Sequence, residues 1–365
     1  MRAYCLKFIF SFRIRIAKDR RSKRFYRPRS MEARRDGSQM PSHAQMQRMA
    51  ASGTATFDNP ADYQAAFGDT SLKLTLTGGG NFKARLTWLN LRYLRVVRGR
   101  ENLPRIAYIS LPPERVVFSF PTGTAPAVWS GLKLRFGDIL FRSRGQRTHR
   151  WAAGESQWGH ISLPPEQFAA CGKALTGMEM ALPPDGRVLR PSGGAAARFL
   201  RLHSRVCRLA ETRHELIKHP EVARALEQEL LHALVNCLAA DDANSDLKTR
   251  RHHADIMVRF EDALSAHIGP QLNMPELCAT LSVSERTLRV CCHEFLGVSP
   301  TRYHLWRRLN TVRSALLRAD PATACVGAIA RSCDFFELGR FAATYRIAFG
   351  ELPSTTLRRV IMEST

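Results

Sequence analysis

The chain has 365 residues, of which 44% are hydrophobic and 24% charged, so it can form ordinary globular cores and is not disordered throughout. This length suits two domains. The 55 Lys and Arg residues outnumber the 32 Asp and Glu residues, and the net charge of +23 suggests a polyanionic partner without identifying it. The sequence has no apolar run of about 18 residues, so neither a spanning helix nor a membrane partner is predicted.

The first 40 residues are predicted to be a basic, disordered arm. Residues 1–36 alone carry a net charge of +10. Their apolar stretch at 4–16 looks like the core of a signal peptide, but basic residues interrupt it and an Arg-rich segment follows it, so no signal peptide is predicted. Met31 and Met40 are plausible later translation starts.

The nine cysteines indicate where the protein acts. Their number is odd and none forms a CxxC pair, which favours free, mostly buried thiols over a disulfide framework. The sequence therefore predicts a protein of a reducing compartment, the cytoplasm.

Residues 41–182 are predicted to form a β-rich domain. Apolar and polar residues alternate at 72–77, 116–120 and 132–136, and an apolar run follows at 139–141. Short alternating segments separated by turn residues are typical of an antiparallel barrel or sandwich. The sequence thus predicts an α+β protein that begins with such a β half.

Helical periodicity follows the β half. Apolar residues recur at three and four positions within Gln167–Leu175, Ala195–Leu216 and Pro220–Leu238. We predict that residues 183–240 form a helical connector, whose last helix either pairs with a second copy of the chain or packs on its own β half. The polar residues 241–253 are predicted to be a linker.

The segment 254–365 is predicted to be an all-helical domain with two helix-turn-helix units. In the first unit, a short helix ends near Leu281, and Ser284 is a suitable N-cap for a second helix over 285–296. Gly297 ends that helix. Burial of Leu288 and Phe295 would leave Glu285, Arg286, Arg289 and His293 on the outer face.

The same pattern recurs about 52 residues later. Ile329 in the second unit is equivalent to Leu277 in the first at an offset of 52 residues. Phe341 is equivalent to Leu288 and Gly350 to Gly297 at an offset of 53, so the second turn has gained one residue. The second outer helix, over 337–349, would expose Glu337, Arg340, Ala343 and Thr344. A continuous helix over 301–318 would hold the two units at a fixed separation.

These segments resemble the DNA-binding domain of AraC/XylS-type transcriptional regulators. The similar stretches are LCATLSVSERTL at 277–288, GVSP at 297–300 and FAATYRIAFGELP at 341–353. The resemblance implies that two helices contact adjacent major-groove segments of double-stranded DNA, with RNA polymerase as a further partner if the protein is an activator. The chain departs from the common pattern at Val290, Asp334 and Ala343.

Two upstream segments resemble the cupin-like sensor halves of some of these regulators. They are FGDI at 136–139 and WGHISLPPE at 158–166. This resemblance implies control by a small-molecule effector or through a homodimer. The cupin metal pattern is missing, and the 12 histidines show no metal-ligand spacing, so no cofactor and no metal are predicted. Trp129, Trp151 and Trp158 would either line a ligand pocket or fill a core.

The candidate DNA-binding residues are those on the two outer faces near the helix N-termini. They are Ser284, Glu285, Arg286, Arg289, Glu337, Arg340 and Thr344. Arginine can donate two hydrogen bonds to guanine, although simple solvation is the alternative for an arginine on a helix face. Arg307, Arg308, Arg346 and Arg358 are predicted to contact phosphates or to be solvated.

Two other functions compete with transcriptional regulation. One is an enzyme with a catalytic β-barrel and a helical accessory domain, but the chain has no nucleophile elbow, P-loop or dinucleotide-binding glycine pattern. No catalytic residue, and no enzyme, is therefore predicted. The other is an architectural DNA-binding protein that relies on its basic arm.

Overall fold

A computed structural model describes residues 52–68, 70–177, 180, 182, 186–192, 194–241, 248–266 and 272–362. The predicted basic arm and the alternative starts lie outside these residues. Within the described part of the chain, no helix is both long enough and apolar enough to cross a membrane. The described cysteines are free.

The β half is a sandwich of two antiparallel sheets. Its strands are β1 (Ser52–Phe57), β2 (Ser71–Leu76), β3 (Ala84–Asn90), β4 (Arg95–Glu101), β5 (Arg105–Ser110), β6 (Val116–Pro121), β7 (Ala127–Trp129), β8 (Leu132–Lys133), β9 (Ile139–Arg142), β10 (Arg147–Ala152), β11 (Ser156–Leu163) and β12 (Arg187–Leu189). One sheet has seven strands in the order β1-β3-β4-β11-β6-β9-β12, and the other has five in the order β2-β5-β10-β7-β8. Both orders are open, so of the two predicted alternatives the described residues form the sandwich and not a closed barrel.

The alternating pattern predicts most of these strands but overextends one of them. Strands β2, β6 and β9 lie where the pattern placed them. The predicted strand at 132–136 ends at Lys133, and Phe136 is 57% exposed. The cause is a turn, in which the backbone N–H of Asp138 donates to the Arg135 carbonyl (3.0 Å) and the Asp138 carboxylate accepts from the Arg135 N–H (3.0 Å).

Within the described residues, five helices accompany the β half. They are α1 (Pro60–Ala65), α2 (Pro165–Thr176), α3 (Ala195–Thr212), α4 (His214–Ile217) and α5 (Pro220–Ala239). Helices α2, α3 and α5 pack on the outer face of the seven-stranded sheet, where Phe168, Phe199 and Leu234 share an apolar cluster with Phe118 and Phe141. The predicted helix 195–216 is therefore two helices, because Arg213 leaves the helical conformation at φ −146° and ψ 49°.

The described part of the C-terminal half, residues 248–266 and 272–362, contains seven further helices. They are α6 (Lys248–Ala266), α7 (Met274–Leu281), α8 (Glu285–Leu296), α9 (Pro300–Arg318), α10 (Val326–Ser332), α11 (Leu338–Phe349) and α12 (Pro353–Met362). Helix α6 begins inside the segment 241–253 that the sequence predicts to be a linker. Its apolar residues Ile256, Met257 and Phe260 pack into the core of the first helix-turn-helix unit, which explains why the polar start of this segment becomes helical.

The C-terminal half packs directly on the five-stranded sheet. The Asn310 side chain in the middle of α9 accepts a hydrogen bond from the Leu76 N–H (2.9 Å) and donates one to the Leu76 carbonyl (2.9 Å). Strand β2 is an edge strand, so Asn310 satisfies backbone groups that would otherwise lack a partner strand. The backbone at Gly79 lies so close to the Phe349 carbonyl that a Cβ at this position would collide with it.

Among the described residues, the interior of the sandwich contains one buried carboxylate, Glu101. It accepts hydrogen bonds from Arg105, from Arg150 (2.7 Å), from the Tyr63 hydroxyl (2.7 Å) and from the Trp158 indole (3.0 Å). Burial alone would raise the pKa of Glu101, but the two guanidinium groups and the two neutral donors outweigh it and lower this pKa to about 2. Glu101 is therefore ionised at neutral pH and ties both sheets together.

Candidate nucleic-acid interface

The first helix-turn-helix unit consists of α7, a three-residue turn and α8. Ser282 ends α7 in the left-handed conformation at φ +53°, and the Val283 N–H donates to the Cys278 carbonyl (3.1 Å). Ser284 then caps α8, since its hydroxyl accepts a hydrogen bond from the Thr287 N–H (3.1 Å). Gly297 ends α8 at φ +73°, so this helix has the predicted bounds 285–296.

The outer face of α8 is exposed, as its apolar spacing predicts. Leu288, Cys291, Cys292, Phe295 and Leu296 are buried, whereas the candidate residues Ser284, Glu285, Arg286 and Arg289 are exposed. Arg289 donates a hydrogen bond to Glu285 (2.5 Å), one helical turn away. Arg286 forms no salt bridge with any described residue, so its guanidinium is available to an external acceptor.

The second unit, α10 to α11, repeats the first with one additional residue. Asp334 is equivalent to Ser282 at an offset of 52 residues and is also left-handed, with φ +65°. The Phe335 N–H donates to the Ala330 carbonyl (3.0 Å), which repeats the hydrogen bond from Val283 to Cys278 in the first unit. The additional residue is Phe336, which is 67% exposed. The left-handed φ at Asp334 explains why glycine is suited to this turn position.

The N-terminus of α11 differs from that of α8 in its capping. Glu337 occupies the N-cap position, but its side chain accepts no capping hydrogen bond. The Glu337 carboxylate lies 3.8 Å from the Arg340 guanidinium, which is 82% exposed. Thr344 is half-buried, and its hydroxyl donates to the Arg340 carbonyl (2.8 Å). Of the three candidates in this unit, Glu337 and Arg340 project into solvent.

Helix α9 joins the two units, and it changes the interpretation of two predicted phosphate contacts. Arg307 donates to Glu261 (2.8 Å), and Arg308 donates to the carbonyls of Cys333 (3.1 Å) and Asp334 (2.8 Å). Both guanidinium groups bind acceptors within the protein, so neither is merely solvated, and their predicted phosphate contacts stay predictions. Arg346 and Arg358 are exposed, and their predicted phosphate contacts stay predictions.

A carboxylate with several partners organises each unit, fully buried in the first unit and partly exposed in the second. We call the first group the Glu261 cluster: Glu261 accepts from the Tyr303 hydroxyl (2.6 Å) and from Arg307, and its other partner is His149 (2.8 Å) on β10. Burial raises the pKa of Glu261, but hydrogen bonding to His149 and the charges of His149 and Arg307 outweigh burial and lower it. The first unit is thereby linked to the five-stranded sheet.

The second group is the Glu351 cluster. Glu351 binds Arg313 (2.8 Å), Arg359 (2.5 Å) and the Thr356 hydroxyl (2.9 Å), and that hydroxyl also lies 2.9 Å from the Tyr345 hydroxyl. All these partners belong to the C-terminal half. The sequence analysis missed both clusters, because an arginine next to an apolar helix stripe has the same local pattern whether it is solvated or paired.

The exposed groups at the two helix N-termini suit contacts with the edges of bases. An arginine guanidinium donates two parallel hydrogen bonds to guanine O6 and N7, and a short helix-turn-helix unit places the N-terminal residues of its second helix in the major groove. Arg286 and Arg340 are the exposed candidates whose guanidinium groups make no hydrogen bond to another described side chain. Arg289 has to give up its pairing with Glu285 to make such a contact.

Comparison with known proteins agrees with the predicted domain. Residues 277–359 match the family model described as a helix-turn-helix domain. The probable thc operon regulatory protein of Rhodococcus erythropolis is 34% identical over 146 residues, which cover 40% of this chain and 44% of that protein. The XylDLEGF operon transcriptional activator of Pseudomonas putida is 32% identical over 101 residues, covering 28% of this chain and 32% of that protein.

Two solved structures that the chain matches have low sequence identity to it. The AraC-like transcriptional activator CuxR is 17% identical, with 72% of this chain and 95% of that chain covered at a TM-score of 0.36. ToxT from Vibrio cholerae O395 is 10% identical, with 80% and 98% covered at a TM-score of 0.28.

These matches confirm the helix-turn-helix domain and the resemblance of the C-terminal half to AraC/XylS-type regulators. The matched segments span less than half the length of the two operon regulators, 44% of one and 32% of the other.

Proposed function

We propose that this chain is a sequence-specific transcriptional regulator that binds double-stranded DNA through α8 and α11. The observation that carries the proposal is the structural repeat, in which two equivalent helices with exposed N-terminal arginines flank the single helix α9. A helix that joins two such units holds them at a fixed separation. The two units then contact adjacent segments of the major groove.

The candidate residues take different parts in this proposal. Arg286 and Arg340 contact base edges, and Arg289 does so after leaving Glu285. The exposed helix N-termini at Ser284 and Glu337 set the register, because unpaired backbone N–H groups at a helix start favour phosphate oxygens. Glu285 accepts from a cytosine amino group. Thr344 supports the backbone at Arg340 through its hydroxyl.

The distribution of charge predicts modest non-specific binding by the C-terminal half. Residues 253–365 carry a net charge of only +2, and the Glu261 and Glu351 clusters use Arg307, Arg313 and Arg359 inside the protein. Few basic groups therefore remain for phosphates, whose contacts dominate non-specific affinity. Within this half, specificity then depends on base contacts more than on charge.

The β half supplies control in this proposal. We propose that a small-molecule effector binds in it and shifts the equilibrium between DNA-binding arrangements, which requires the effector to bind one arrangement more tightly. A homodimer formed through the helical connector is a second means of control, and RNA polymerase is the further partner if the protein activates transcription. The cytoplasm is the compartment in which these partners meet.

A genomic selection tests the DNA-binding function. Purified full-length protein is mixed with sheared DNA from its source organism, and the retained fragments are sequenced. Affinities are then measured for the enriched duplex and for a random duplex, using the wild type, Arg286→Ala and Arg340→Ala. Arg201→Ala, which removes an exposed arginine of α3, is the matched control.

We expect both recognition-helix variants to lose affinity for the enriched duplex and to keep their affinity for the random duplex. Equal losses on both duplexes would mean that these arginines touch only phosphates. A variant without residues 1–40 separates the architectural alternative: retained selectivity supports the two units, whereas loss of all binding supports the basic arm.

A further inference from the structure

The exposed faces of the two proposed recognition helices differ in chemistry. On α8 this face consists of Ser284, Glu285, Arg286, Arg289, Val290 and His293. Val290, which is 48% exposed, is the one apolar side chain among them. The first unit therefore offers its ligand mainly groups that donate or accept hydrogen bonds.

The corresponding face of α11 is largely apolar. Arg340, Ala343 and Ile347 recur at intervals of three and four residues, so they lie on one side of the helix, and Ile347 is 84% exposed. Phe336, immediately before the N-cap residue Glu337, is 67% exposed. We call Phe336, Ala343 and Ile347 the apolar stripe. Arg340 lies between Phe336 and Ala343 along the chain.

The core of the second unit does not account for Phe336. Its neighbour Phe335 takes the place of Val283 in the second turn and packs on the apolar cluster there. The Phe335 ring lies 4.9 Å from that of Phe341, and the Arg308 guanidinium lies over it at 4.2 Å. Phe336 is the residue that the second turn has gained, and its ring contacts no other aromatic or cationic side chain among the described residues. The insertion thus adds an exposed aromatic ring that the core does not use.

The apolar stripe is continuous with the proposed base contact of Arg340, whose guanidinium is 82% exposed. At a rise of 1.5 Å per residue, Ala343 and Ile347 lie about 4.5 and 10.5 Å beyond Arg340 along the helix axis. Phe336 lies at the helix start, which units of this kind place in the major groove. A position of α11 that brings Arg340 to the edges of bases therefore brings the apolar stripe to them as well.

The major groove offers an apolar group for such a stripe, the C5 methyl of thymine. The other groups that distinguish bases there are donors and acceptors, with which the side chains of Phe336, Ala343 and Ile347 cannot pair. A protein partner would have to cover the charges of Glu337 and Arg340 together with the stripe, which is unfavourable for charges that lie 3.8 Å apart. DNA instead supplies acceptors for Arg340.

We propose that the apolar stripe recognises thymine methyl groups, so that α11 selects a half-site, the DNA segment bound by one unit, that is rich in A·T pairs. Phe336 and Ile347 are the specificity-determining residues, because they expose the most apolar surface, and Arg340 fixes the position of the helix on a guanine. The first unit selects its half-site mainly through hydrogen bonds. This inference rests on the proposed function and assigns the class of base that the second unit recognises.

The experiment removes the methyl groups without changing base pairing. The enriched duplex from the genomic selection is synthesised with thymine throughout, and with deoxyuridine in place of thymine in one half-site or in the other. Fluorescence anisotropy gives the affinities of the full-length wild type, of the double variant Phe336→Ser/Ile347→Ala and of the control Phe136→Ser. Phe136 is 57% exposed in the β half, so the control removes a comparably exposed ring away from α11.

We expect deoxyuridine in one half-site to weaken binding of the wild type about 16-fold, because each lost methyl contact costs about 4-fold and two are made. In the other half-site the loss should be at most about 4-fold, since α8 offers only Val290 for such a contact. The double variant should bind the thymine duplex about 16-fold more weakly than the wild type and respond less than about 2-fold to deoxyuridine.

The control should behave as the wild type does. Phe136→Ser should keep both the affinity for the thymine duplex and the response to deoxyuridine. All three proteins should melt within about 2 °C of one another, because the substituted side chains are exposed.

Three results would overturn the inference. The first is an enriched duplex without thymine in either half-site, or one whose deoxyuridine forms the wild type binds within about 2-fold of the thymine form. The second is a double variant that keeps the full response to deoxyuridine, since other residues then contact the methyls. The third is a double variant that keeps this response and loses a self-association seen for the wild type by sedimentation, which assigns the stripe to a contact between copies.

Failure of the inference and failure of the proposed function give different results. A selection that enriches no duplex refutes the proposed function, and the assignment of thymine falls with it. A duplex that is bound selectively but is indifferent to deoxyuridine refutes only the assignment of thymine.

Discussion

The two helix-turn-helix units have the same fold but differ in how they are attached to the rest of the molecule. The carboxylate of the Glu261 cluster binds His149 from the five-stranded sheet, whereas the partners of the Glu351 cluster lie within the C-terminal half. Both units also make apolar contacts with the β half: Ile106 of β5 belongs to the apolar cluster of the first unit, and Phe341 and Phe349 of the second unit share a cluster with the interior of the sandwich.

This difference shows that two copies of one motif can respond unequally to the same change in the β half. A polar contact such as His149 with Glu261 depends on pH and can be exchanged for water. An apolar contact depends on shape and on the area removed from water. Changes in charge within the β half should therefore reach the first unit more strongly than the second.

The largest expected effect comes from neutralising the two carboxylates. Glu261→Gln should lower the free energy of unfolding by roughly 3 kcal/mol, because it removes the charge that pairs with Arg307 in a site where the Glu261 side chain is only 2% exposed. Glu351→Gln should cost roughly 1–2 kcal/mol, since the Glu351 side chain is 13% exposed. Urea unfolding measures both losses. Equal losses would contradict the expectation that the more deeply buried Glu261 contributes more to stability than Glu351.

The Glu261 cluster also predicts a dependence on pH. The pKa of Glu261 in the folded protein lies below its value in the unfolded chain, so its stabilising contribution is complete above about pH 4.3 and is lost as pH falls through the folded pKa. The wild type should lose more stability than Glu261→Gln when unfolding is measured at pH 6 and at pH 3. Parallel curves would show that Glu261 does not titrate differently in the two states.

DNA contacts give the next largest effect and should rank the arginines. Arg286→Ala should reduce affinity for the enriched duplex by about 10- to 100-fold, because a bidentate base contact is worth about 1–3 kcal/mol. Arg340→Ala should follow closely, and Arg289→Ala should cost only about 2- to 5-fold, since Arg289 already pairs with Glu285. Fluorescence anisotropy provides the affinities. A larger loss for Arg289→Ala than for Arg286→Ala would reverse the assignment.

The helix caps test a smaller difference between the units. Ser284→Ala should lower the free energy of unfolding by about 1 kcal/mol, because α8 loses the hydrogen bond to the Thr287 N–H. Glu337→Ser should raise it by about 0.5 kcal/mol, since the N-cap of α11 has no side-chain hydrogen bond. Urea unfolding without DNA measures both changes. A loss of stability in Glu337→Ser would mean that its charge near the helix start matters more than the missing cap.

The smallest effects should come from the left-handed turn residues. Ser282→Gly should stabilise the protein by about 0.5 kcal/mol, because glycine adopts φ +53° without steric strain. Asp334→Gly should gain less, since Asp334 also favours the charged form of the nearby Arg308. Thermal unfolding of the two variants provides the comparison, and a larger gain for Asp334→Gly would show that this charge contributes nothing.

The features that local pattern determines could be predicted from the sequence. The bounds of α8 follow from Ser284 and Gly297, whose capping roles depend only on neighbouring residues. The additional residue of the second turn follows from the change of offset from 52 to 53. The exposed faces of α8 and α11 follow from the spacing of their apolar residues.

The features that depend on distant residues could not be predicted. Arg307 and Arg308 look like surface arginines until Glu261 and the carbonyl of Asp334 are placed beside them. The two sheets of the sandwich cannot be told from a closed barrel by alternation, because both have one apolar face per strand.

The contact between Asn310 and Leu76 has a mechanical consequence. One amide side chain binds both the donor and the acceptor of a single strand residue, so strand β2 cannot slide by one position without losing both bonds. A displacement of that strand must therefore either break the two hydrogen bonds between Asn310 and Leu76 or tilt α9 about its midpoint. In the second case the N-termini of α8 and α11 move together, and under the proposed function the spacing of half-sites that the protein tolerates in DNA would measure that tilt.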